Sequence, residues 1–455
     1  MKSIARALIL LAMMSTSAAA AEIKFGGEFR ARGFYDNNLT DVHTGGKDEE
    51  SFSDARFRLK IMAKEGLATG VLLADFFDGG TGADAATLNT PNGGVTGNRI
   101  LGSDGFGRSL DSIRLKEAYL KMSWPFVNFI VGRQPVTLGH GLILDDTADS
   151  VAMAVPLGWA TLTFVQMLLE TVPENSQDTT AYLVNLNIVP SSVFRSGFFA
   201  MLLRDRGPNL TYTPGFSVPP GLVAACATGP NSCALSDFGD ANAALGVFGW
   251  SMDYKASAFY WATELDYLKG SIRTDLPTAD NPAGDDIDLF GANALMRLGW
   301  RGPRLDSEVT GLYATGQKLD EWPAAGGSRI NINAISPNFR LGNILVNNET
   351  TSDRDGGNIG GISAVKLALG WRSSPAFRTE LSGIGARLTE EPDSNGRRNL
   401  GWELDADTYW QLDPNLLLIS GFGLLFPGDA WQSLLGNAEA KDHMVKLSTK
   451  IVYTF

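Results

Sequence analysis

The sequence predicts an all-β fold, a single transmembrane antiparallel β-barrel of about 18 strands with long extracellular loops and short periplasmic turns. Three observations carry this prediction: a secretion signal, strands in which charged and apolar residues alternate, and connections that are alternately short and long. Mean hydropathy is −0.03, and no apolar run after Met14 is long enough for a spanning helix. A helical membrane protein is therefore excluded.

The N-terminus has the pattern of a secretory signal. Lys2 and Arg6 precede an apolar run that ends at Met14, and small residues follow. We predict a cleaved signal peptide over 1–21 and one barrel domain over 22–455. The alternative, a membrane anchor, is disfavoured because the apolar run is well short of the ~20 residues that a spanning helix needs.

The strand pattern is clearest in two segments near the start of the domain. In 54–64, Arg56, Arg58 and Lys60 alternate with apolar residues, and charged residues alternate in the same way over 24–35. A period of two is typical of a strand with one polar and one apolar face. Helical spacing would have scattered these charges around the axis.

The same pattern, weakest in the sixth segment, predicts eighteen strands. They are 23–35, 52–64, 68–77, 111–122, 127–135, 149–155, 158–169, 179–190, 193–204, 243–253, 256–269, 286–299, 304–316, 359–373, 375–389, 398–412, 414–426 and 443–455. Short and long connections alternate throughout, which is typical of outer-membrane barrels. The long connection 317–358 carries many apolar residues, and we predict that it reaches into or over the pore.

The last strand ends in the aromatic pair Tyr453 and Phe455. In bacterial outer-membrane barrels, such an ending resembles the signal that the barrel-assembly machinery reads. Together with the signal peptide, it predicts export to the bacterial outer membrane, with the membrane lipid and the assembly machinery as partners. A soluble periplasmic β-sandwich or propeller is the alternative.

Basic residues concentrate in the first predicted strands, although the whole chain has a formal charge of −12. Charges on a lipid-facing surface cost about 2–4 kcal/mol at the bilayer midplane, so we expect these residues to line the pore. Arg114 and Lys116 have the opposite parity to Lys121, which requires a bulge or a position near the rim. The predicted pore-lining residues are Arg30, Arg32, Arg56, Arg58, Lys60, Arg114, Lys121 and Arg133, with Lys446 and Lys450 alongside.

Two interpretations of this basic sector remain open. A row of Arg and Lys in a water-filled path lowers the barrier for anions, as basic rings do in anion pores. The same residues would instead form a salt-bridged wall if they pair with the acidic residues nearby. Those residues are Glu28, Asp54, Asp75 and Glu117.

The segment Val131-Gly132-Arg133-Gln134, followed by Gly139-His140-Gly141-Leu142, resembles the alginate-export family of outer-membrane porins. The resemblance covers roughly residues 23–170 in detail. It implies an 18-stranded monomeric barrel with a positively charged lumen, in which Arg133 lines an anionic path. The second half of the chain departs from that pattern because acidic residues dominate it, so alginate is not the expected cargo. They are Glu264, Asp266, Asp288, Asp306, Glu308, Glu403, Asp405 and Asp407.

No residue pattern indicates an enzyme, a metal or a cofactor. His43, His140 and His443 share no metal-ligand spacing. The acidic runs at 145–149 and 48–50 favour solvated loops over Ca²⁺ sites. We predict that Cys226 and Cys233, with six residues between them, form a disulfide, because an exported chain meets an oxidising compartment.

Barrels of 16 to 18 strands leave an aqueous channel, so passive passage of small, anionic solutes is the first hypothesis. A second is a sleeve or adaptor in an export complex or around a multihaem cytochrome, periplasmic or at the cell surface. The partner would then bring the haem, since the chain lacks a Cys-x-x-Cys-His motif. A loop-based adhesin or receptor is a third, and no nucleic-acid partner is expected.

Overall fold

The computed structural model describes residues 21–38, 49–81, 114–170, 179–205, 242–273, 286–316, 318, 329–331, 335–336, 339–347, 361–391, 395–434 and 440–455. These residues form β-strands and one short helix. The strands are β1 (Glu22–Asn37), β2 (Glu50–Glu65), β3 (Ala68–Thr81), β4 (Arg114–Trp124), β5 (Val127–Thr137), β6 (Asp145–Pro156), β7 (Ala160–Glu170), β8 (Thr179–Ile188), β9 (Phe194–Asp205), β10 (Asn242–Ala256), β11 (Phe259–Arg273), β12 (Asp286–Arg301), β13 (Leu305–Ala314), β14 (Arg329–Asn331), β15 (Ile362–Ser374), β16 (Phe377–Leu388), β17 (Asn399–Asp413), β18 (Leu416–Pro427) and β19 (Met444–Thr454). The helix is α1 (Ala430–Leu434).

The strands close into an antiparallel barrel of 18 strands. Each wall strand pairs with its neighbours in sequence, and β19 pairs with β1 to complete the circle. The three-residue strand β14 is not part of this wall, because it pairs in parallel with β12 beyond the end of β13. Closure leaves the wall without an exposed strand edge.

The two ends of the barrel differ in the length of their connections. At one end, turns of five residues or fewer join the strands, and the first residue of β1 and the last of β19 lie there too. Longer connections join the strands at the other end. We call these the turn end and the loop end.

Side chains of each wall strand alternate between the interior and the outer face. In β15, Ala364 and Ala368 are buried inside, whereas Val365 and Leu367 are 52% and 58% exposed outside. Large apolar side chains are exposed in the same way around the outer face. An apolar outer band of this kind suits a barrel surrounded by lipid.

Two apolar clusters fill part of the interior towards the loop end. The first is built from interior residues of β5 to β12, such as Met167 and Leu268. The second joins β12 to β19 with Trp431 of α1 and with residues of the β14–β15 connection. Neither cluster includes a residue of β1 to β4.

The predicted barrel is confirmed. All eighteen predicted strands are present, and their ends differ from the observed ones by four residues or fewer. The sixth, which had the weakest pattern, is β6, whereas β14 and α1 were not predicted. No helix in the described part of the chain is long and apolar enough to cross a membrane. The predicted signal peptide lies outside the described residues, apart from its last residue.

Candidate functional site

The predicted basic residues of β1 and β2 share the interior face. Arg30 is 8% exposed inside, whereas its neighbour Phe29 is 43% exposed on the outer face. The strand register pairs Arg30 with Arg56 and Glu28 with Arg58. Residues directly opposite each other in an antiparallel pair lie on the same face of the sheet. All four charged residues therefore face the interior.

The closing strand β19 extends this basic surface. Its register with β1 pairs Arg32 with Lys450 and Asp36 with Lys446. The ring of Phe34 contacts two of these cations: its centroid lies 5.0 Å from Arg32 Cζ and 5.5 Å from Lys446 Nζ. We call the interior-facing basic residues of these neighbouring strands the basic arc. They are Arg30, Arg32, Arg56, Arg58, Lys60, Lys121, Lys446 and Lys450.

Two cations of the basic arc are held by carboxylates. Arg58 donates two hydrogen bonds to Asp75, of 2.6 and 2.8 Å, and Arg56 forms an ion pair with Glu28. Asp75 is 1% exposed, so its charge is compensated by this bidentate contact. Among the described residues, no carboxylate forms an ion pair with Lys60. The basic arc thus combines a salt-bridged wall with cations outside those pairs.

A β-bulge reconciles the parities of Arg114, Lys116 and Lys121, as the sequence required. The register between β3 and β4 shifts at Lys116, which pairs with no residue of β3. The backbone of Arg114 consequently pairs with Asp75, at an interior position. Lys121 pairs with Ile130, which packs against the first apolar cluster inside the barrel.

The prediction that Arg133 lines the pore is wrong. Arg133 has the parity of Val131, which is 44% exposed on the outer face. Gln134 instead faces inward, where it donates a 2.8 Å hydrogen bond to Ser150. Arg133 lies 3.8 Å from Asp149, which also faces outward. Because side chains alternate strictly along β5, Arg133 faces outward and does not have the lumen position that the alginate-export resemblance implied.

Acidic side chains line the interior of the other part of the barrel. Some are neutralised: Asp306 forms ion pairs with Arg372 and Arg378, at 2.6 and 3.3 Å. Asp288 differs from the rest because it is exposed on the outer face, next to the interior residue Leu289. The interior acidic residues are Glu264, Asp266, Asp306, Glu308, Glu380, Glu403, Asp405 and Asp407.

One acidic residue anchors the β5–β6 connection inside the barrel. Residues 138–144, which we call the first inserted segment, bury Leu138 and Leu142 completely. The backbone N–H of His140 donates to the carboxylate of Glu264, which is fully buried. Gly139 has φ +55, and a Cβ there would lie 2.5 Å from Glu264 Cδ. Only glycine lets the segment approach this carboxylate so closely.

A second acidic residue anchors part of the β14–β15 connection in the same way. The carboxylate of Glu403 accepts hydrogen bonds from the backbone N–H groups of Asn343, Ile344 and Leu345, at 2.9, 2.7 and 2.7 Å. We call residues 339–347 the second inserted segment. Lys366 donates a 2.9 Å hydrogen bond to Leu341 O in this segment. The prediction that the 317–358 connection reaches into the barrel is confirmed for these residues.

The two inserted segments meet inside the barrel. Ser336, just before the second segment, donates a 2.6 Å backbone hydrogen bond to Leu142 O of the first. Leu142 also belongs to the second apolar cluster. Both segments therefore fill the interior beside β5 to β19. Beside β2, by contrast, the side chains of Arg56 and Arg58 are 15% and 25% exposed.

The candidate metal-ligating residues that the structure describes do not form a site. His140 Nε2 lies 3.1 Å from Thr263 O, and the ring of His443 contacts Phe426. Asp149 lies beside Arg133, and the described residues contain no group of three or more His, Cys, Asp or Glu that could hold a metal ion. His43, Asp48, Cys226 and Cys233 lie outside the described residues.

The terminal aromatic residues seal the barrel where β19 meets β1. Gly27 and Phe455 exchange two backbone hydrogen bonds, of 3.0 and 3.2 Å. The ring of Phe455 stacks on Phe57, at 6.0 Å between centroids, and lies near Tyr453 at 6.4 Å. A Cβ on Gly27 would lie 2.5 Å from that ring. Gly27 therefore provides the space that Phe455 fills.

Sequence reasoning identified the basic arc but not the anchors of the inserted segments. The acidic strand residues were noticed only as a departure from a basic lumen. A local signal existed in the first segment, where Gly139 and Gly141 mark backbone that approaches another group closely. Its partner Glu264 is 124 residues away from His140, so no local pattern links them.

No protein-family model matches this sequence, and no curated protein is significantly similar to it. Solved structures do match along nearly the whole chain. Acinetobacter baumannii OccAB4 is 9% identical, covers 95% of this chain and 98% of its own, and has a TM-score of 0.54. Pseudomonas aeruginosa OpdO is 10% identical, with 95% and 97% covered and a TM-score of 0.54.

Pseudomonas aeruginosa OccK11 (OpdR) is 12% identical, with 95% and 96% covered and a TM-score of 0.50. These matches are Occ and Opd outer-membrane porins rather than alginate-export porins, so the resemblance to the latter stays a prediction. At such identities a likeness shows the fold alone. This chain therefore has the closed 18-stranded barrel fold of the Occ and Opd porins.

Proposed function

We propose that this chain is an outer-membrane porin that lets small solutes pass, with a preference for anions, along the basic arc. The observation that carries the proposal is the position of the arc: its cations lie on the interior face of β19, β1, β2 and β4, outside the two apolar clusters. The shared fold and the apolar outer face support the outer-membrane location. The predicted signal peptide supports export.

The arc would act through its electrostatic potential. Charges within a Debye length, ~8 Å at physiological salt, lower the free energy of a nearby anion. Arg56 and Arg58 contribute less to that potential because Glu28 and Asp75 partly cancel their charge. Arg32 and Lys60 take part in neither of these two pairs and face the same interior, so their removal tests the path.

A selectivity measurement tests the proposal. We expect the double variant Arg32→Gln, Lys60→Gln to shift the reversal potential across a salt gradient towards cation selectivity. The shift should be large at low ionic strength and should fade as salt screens the remaining charges. Planar-bilayer recordings of the purified full-length protein would measure it.

Two further variants distinguish a basic arc that lines an anion path from one that only stabilises the barrel wall. Arg133→Gln removes a cation from the outer face and should leave the reversal potential unchanged. Arg56→Gln should lower the thermal stability of the folded barrel, because it leaves Glu28 unpaired. If the Arg32, Lys60 variant has the wild-type reversal potential at low salt, the arc is a structural wall and the proposed anion preference is wrong.

The other hypotheses fit the interior less well. A sleeve around a cytochrome needs an empty lumen, whereas the two inserted segments already fill the interior beside β5 to β19. A surface receptor would not need basic side chains facing inward. Recognition of Tyr453 and Phe455 by the barrel-assembly machinery remains part of the proposal, because Tyr453 lies on the closing strand and Phe455 directly follows it.

A further inference from the structure

The outer face of the barrel carries an apolar groove across β6 to β10, with a volume of about 560 Å³. Most of its lining side chains point outward, and several are prominently exposed: Val151 is 51% and Phe248 57% exposed. We call it the outer groove. The residues that shape it are Val151, Phe164, Tyr182, Leu202, Gly246 and Phe248.

The strand register places the outer groove in the half of the wall nearer the loop end. Tyr182 pairs with Leu202, which pairs with Gly246, so these three residues form one row across β8, β9 and β10. This row lies only a few residues from the loop-end termini of the three strands, Thr179, Asp205 and Asn242. In an outer-membrane barrel, that half of the wall faces the outer leaflet.

Two exposed basic residues border the same row. Lys269 pairs with Gly246 and so continues the row on β11. Arg204 pairs with Ala244 in the next row towards the loop end. Both have the outward parity of Leu202 and Tyr267, and both are exposed. Among the described residues, neither forms an ion pair with a carboxylate.

Small residues separate these two cations. Ala244 and Gly246 have small side chains, so the outer face of β10 forms a depression between Arg204 and Lys269. The spacing between strands and the rise along them place the Cα atoms of these two cations about 12 Å from each other. Arg and Lys side chains are long enough for both to reach one group placed above Gly246. The surface thus combines two cations with an apolar groove directly below them.

We propose that the outer groove binds an outer-leaflet lipid with a phosphorylated head group. The phosphate would lie between Arg204 and Lys269, and an acyl chain would occupy the groove between Phe248 and Tyr182. Charge complementarity identifies the head group as anionic, and the apolar lining identifies the rest as hydrocarbon. The inference goes beyond the proposed solute selectivity and needs only the outer-membrane location.

Native mass spectrometry of the full-length protein in detergent tests this site. The probes are lipid A with both phosphates and the same lipid after removal of the phosphates. We expect the wild type to retain one phosphorylated lipid and to bind the dephosphorylated form at least tenfold more weakly. The variant Arg204→Gln, Lys269→Gln should bind the phosphorylated lipid at least tenfold more weakly than the wild type.

Two single variants separate the groove from the cations. Gly246→Leu should weaken binding of both lipids, because its side chain fills the groove. The new Cβ would meet Lys269 O at 3.4 Å and Phe248 Cε2 at 3.6 Å, which are ordinary contacts, so the barrel should still fold. Lys255→Gln, which removes an exposed cation of β10 at the turn end, is the matched control and should bind as the wild type does.

Four outcomes would overturn the proposal. Equal binding of both lipids by the wild type would show that phosphate is not recognised. Unchanged binding by the Arg204, Lys269 variant would exclude those residues. Displacement of the lipid by inorganic phosphate alone, or unchanged binding by Gly246→Leu, would show an ion site without a lipid groove.

Discussion

A single buried carboxylate, that of Glu403, holds three consecutive backbone N–H groups of the second inserted segment. Successive N–H groups that converge on one point form a concave anion site. Here the chain fills that site with its own side chain. The neighbouring contact between Asn343 and Asp407, at 3.1 Å, holds the same turn from a second position on β17.

We expect Glu403→Gln to loosen the second inserted segment without opening the barrel wall. The amide of glutamine offers one acceptor oxygen in place of a carboxylate, and its NH₂ group would face backbone donors. Hydrogen bonds to a charged group contribute about 1.5–3 kcal/mol each, so amide hydrogens of 339–347 should exchange at least tenfold faster. Hydrogen exchange with mass spectrometry measures this.

The control is Glu391→Gln, which removes a carboxylate near the loop end that pairs with Arg398 outside the inserted segments. Its effect on 339–347 should be absent. Unchanged exchange in Glu403→Gln would mean that apolar packing alone holds the segment.

At the scale of elements, the seam between β19 and β1 depends on a glycine as well as on the terminal aromatic residue. Phe455 can lie against the sheet only because Gly27 has no side chain. The stacked ring of Phe57 closes the other side of this space. The assembly signal predicted from the sequence is thus also a packing element of the finished barrel.

We expect Gly27→Val and deletion of Phe455 to lower the amount of folded protein in the outer membrane. Gly33→Val is the matched control for the first change, because Gly33 is on the same strand and face and a Cβ added there would have no atom within 4 Å. Heat-modifiable migration on gels measures the folded fraction. Equal levels of the Gly27 and Gly33 variants would contradict a role for the space beside Gly27.

The connection between β9 and β10 carries the prediction of a disulfide between Cys226 and Cys233. Mass spectrometry after non-reducing digestion should show one linked peptide, and reduction should release its two halves. Two thiols that alkylate freely in the untreated exported protein would disprove the bond.

The strands could be predicted from the sequence because their signal is local. Alternation within ten residues and the length of each connection suffice, as the two segments of β1 and β2 illustrate. The basic arc followed from the same parity. The side of the wall that Arg133 faces could not be predicted from the alginate-export resemblance, because neighbouring residues along β5 point to opposite faces of the sheet. The inserted segments could be anticipated only from loop length, because Glu403 lies about 60 residues from its partners.

At the scale of the whole molecule, the barrel interior is asymmetric. Cations and water-accessible side chains border it on β19 and β1 to β4, whereas the chain's own segments fill it beside β5 to β19, so β19 borders both parts. On the proposed function, we expect the inserted segments to limit the width of the path and the basic arc to set its charge.

This division predicts separable effects on conduction. Replacing 339–347 by a Gly-Ser linker of equal length should raise single-channel conductance, because the second apolar cluster loses part of its filling. The sign of the ion selectivity should not change, since the basic arc remains. Replacing the β16–β17 connection by a Gly-Ser linker of equal length is the control. Equal conductance of the wild type, the 339–347 replacement and this control would contradict the prediction.

The long separation in sequence between the inserted segments and their anchors also bears on the order in which parts of the barrel fold. His140 cannot reach Glu264 until β11 has joined the sheet, 124 residues later in the chain. Loop-closure entropy makes such distant contacts unfavourable before the intervening strands are paired. We therefore expect each inserted segment to settle only after the strands between it and its anchor have paired, and a barrel in which these segments have not settled would be wider and less selective.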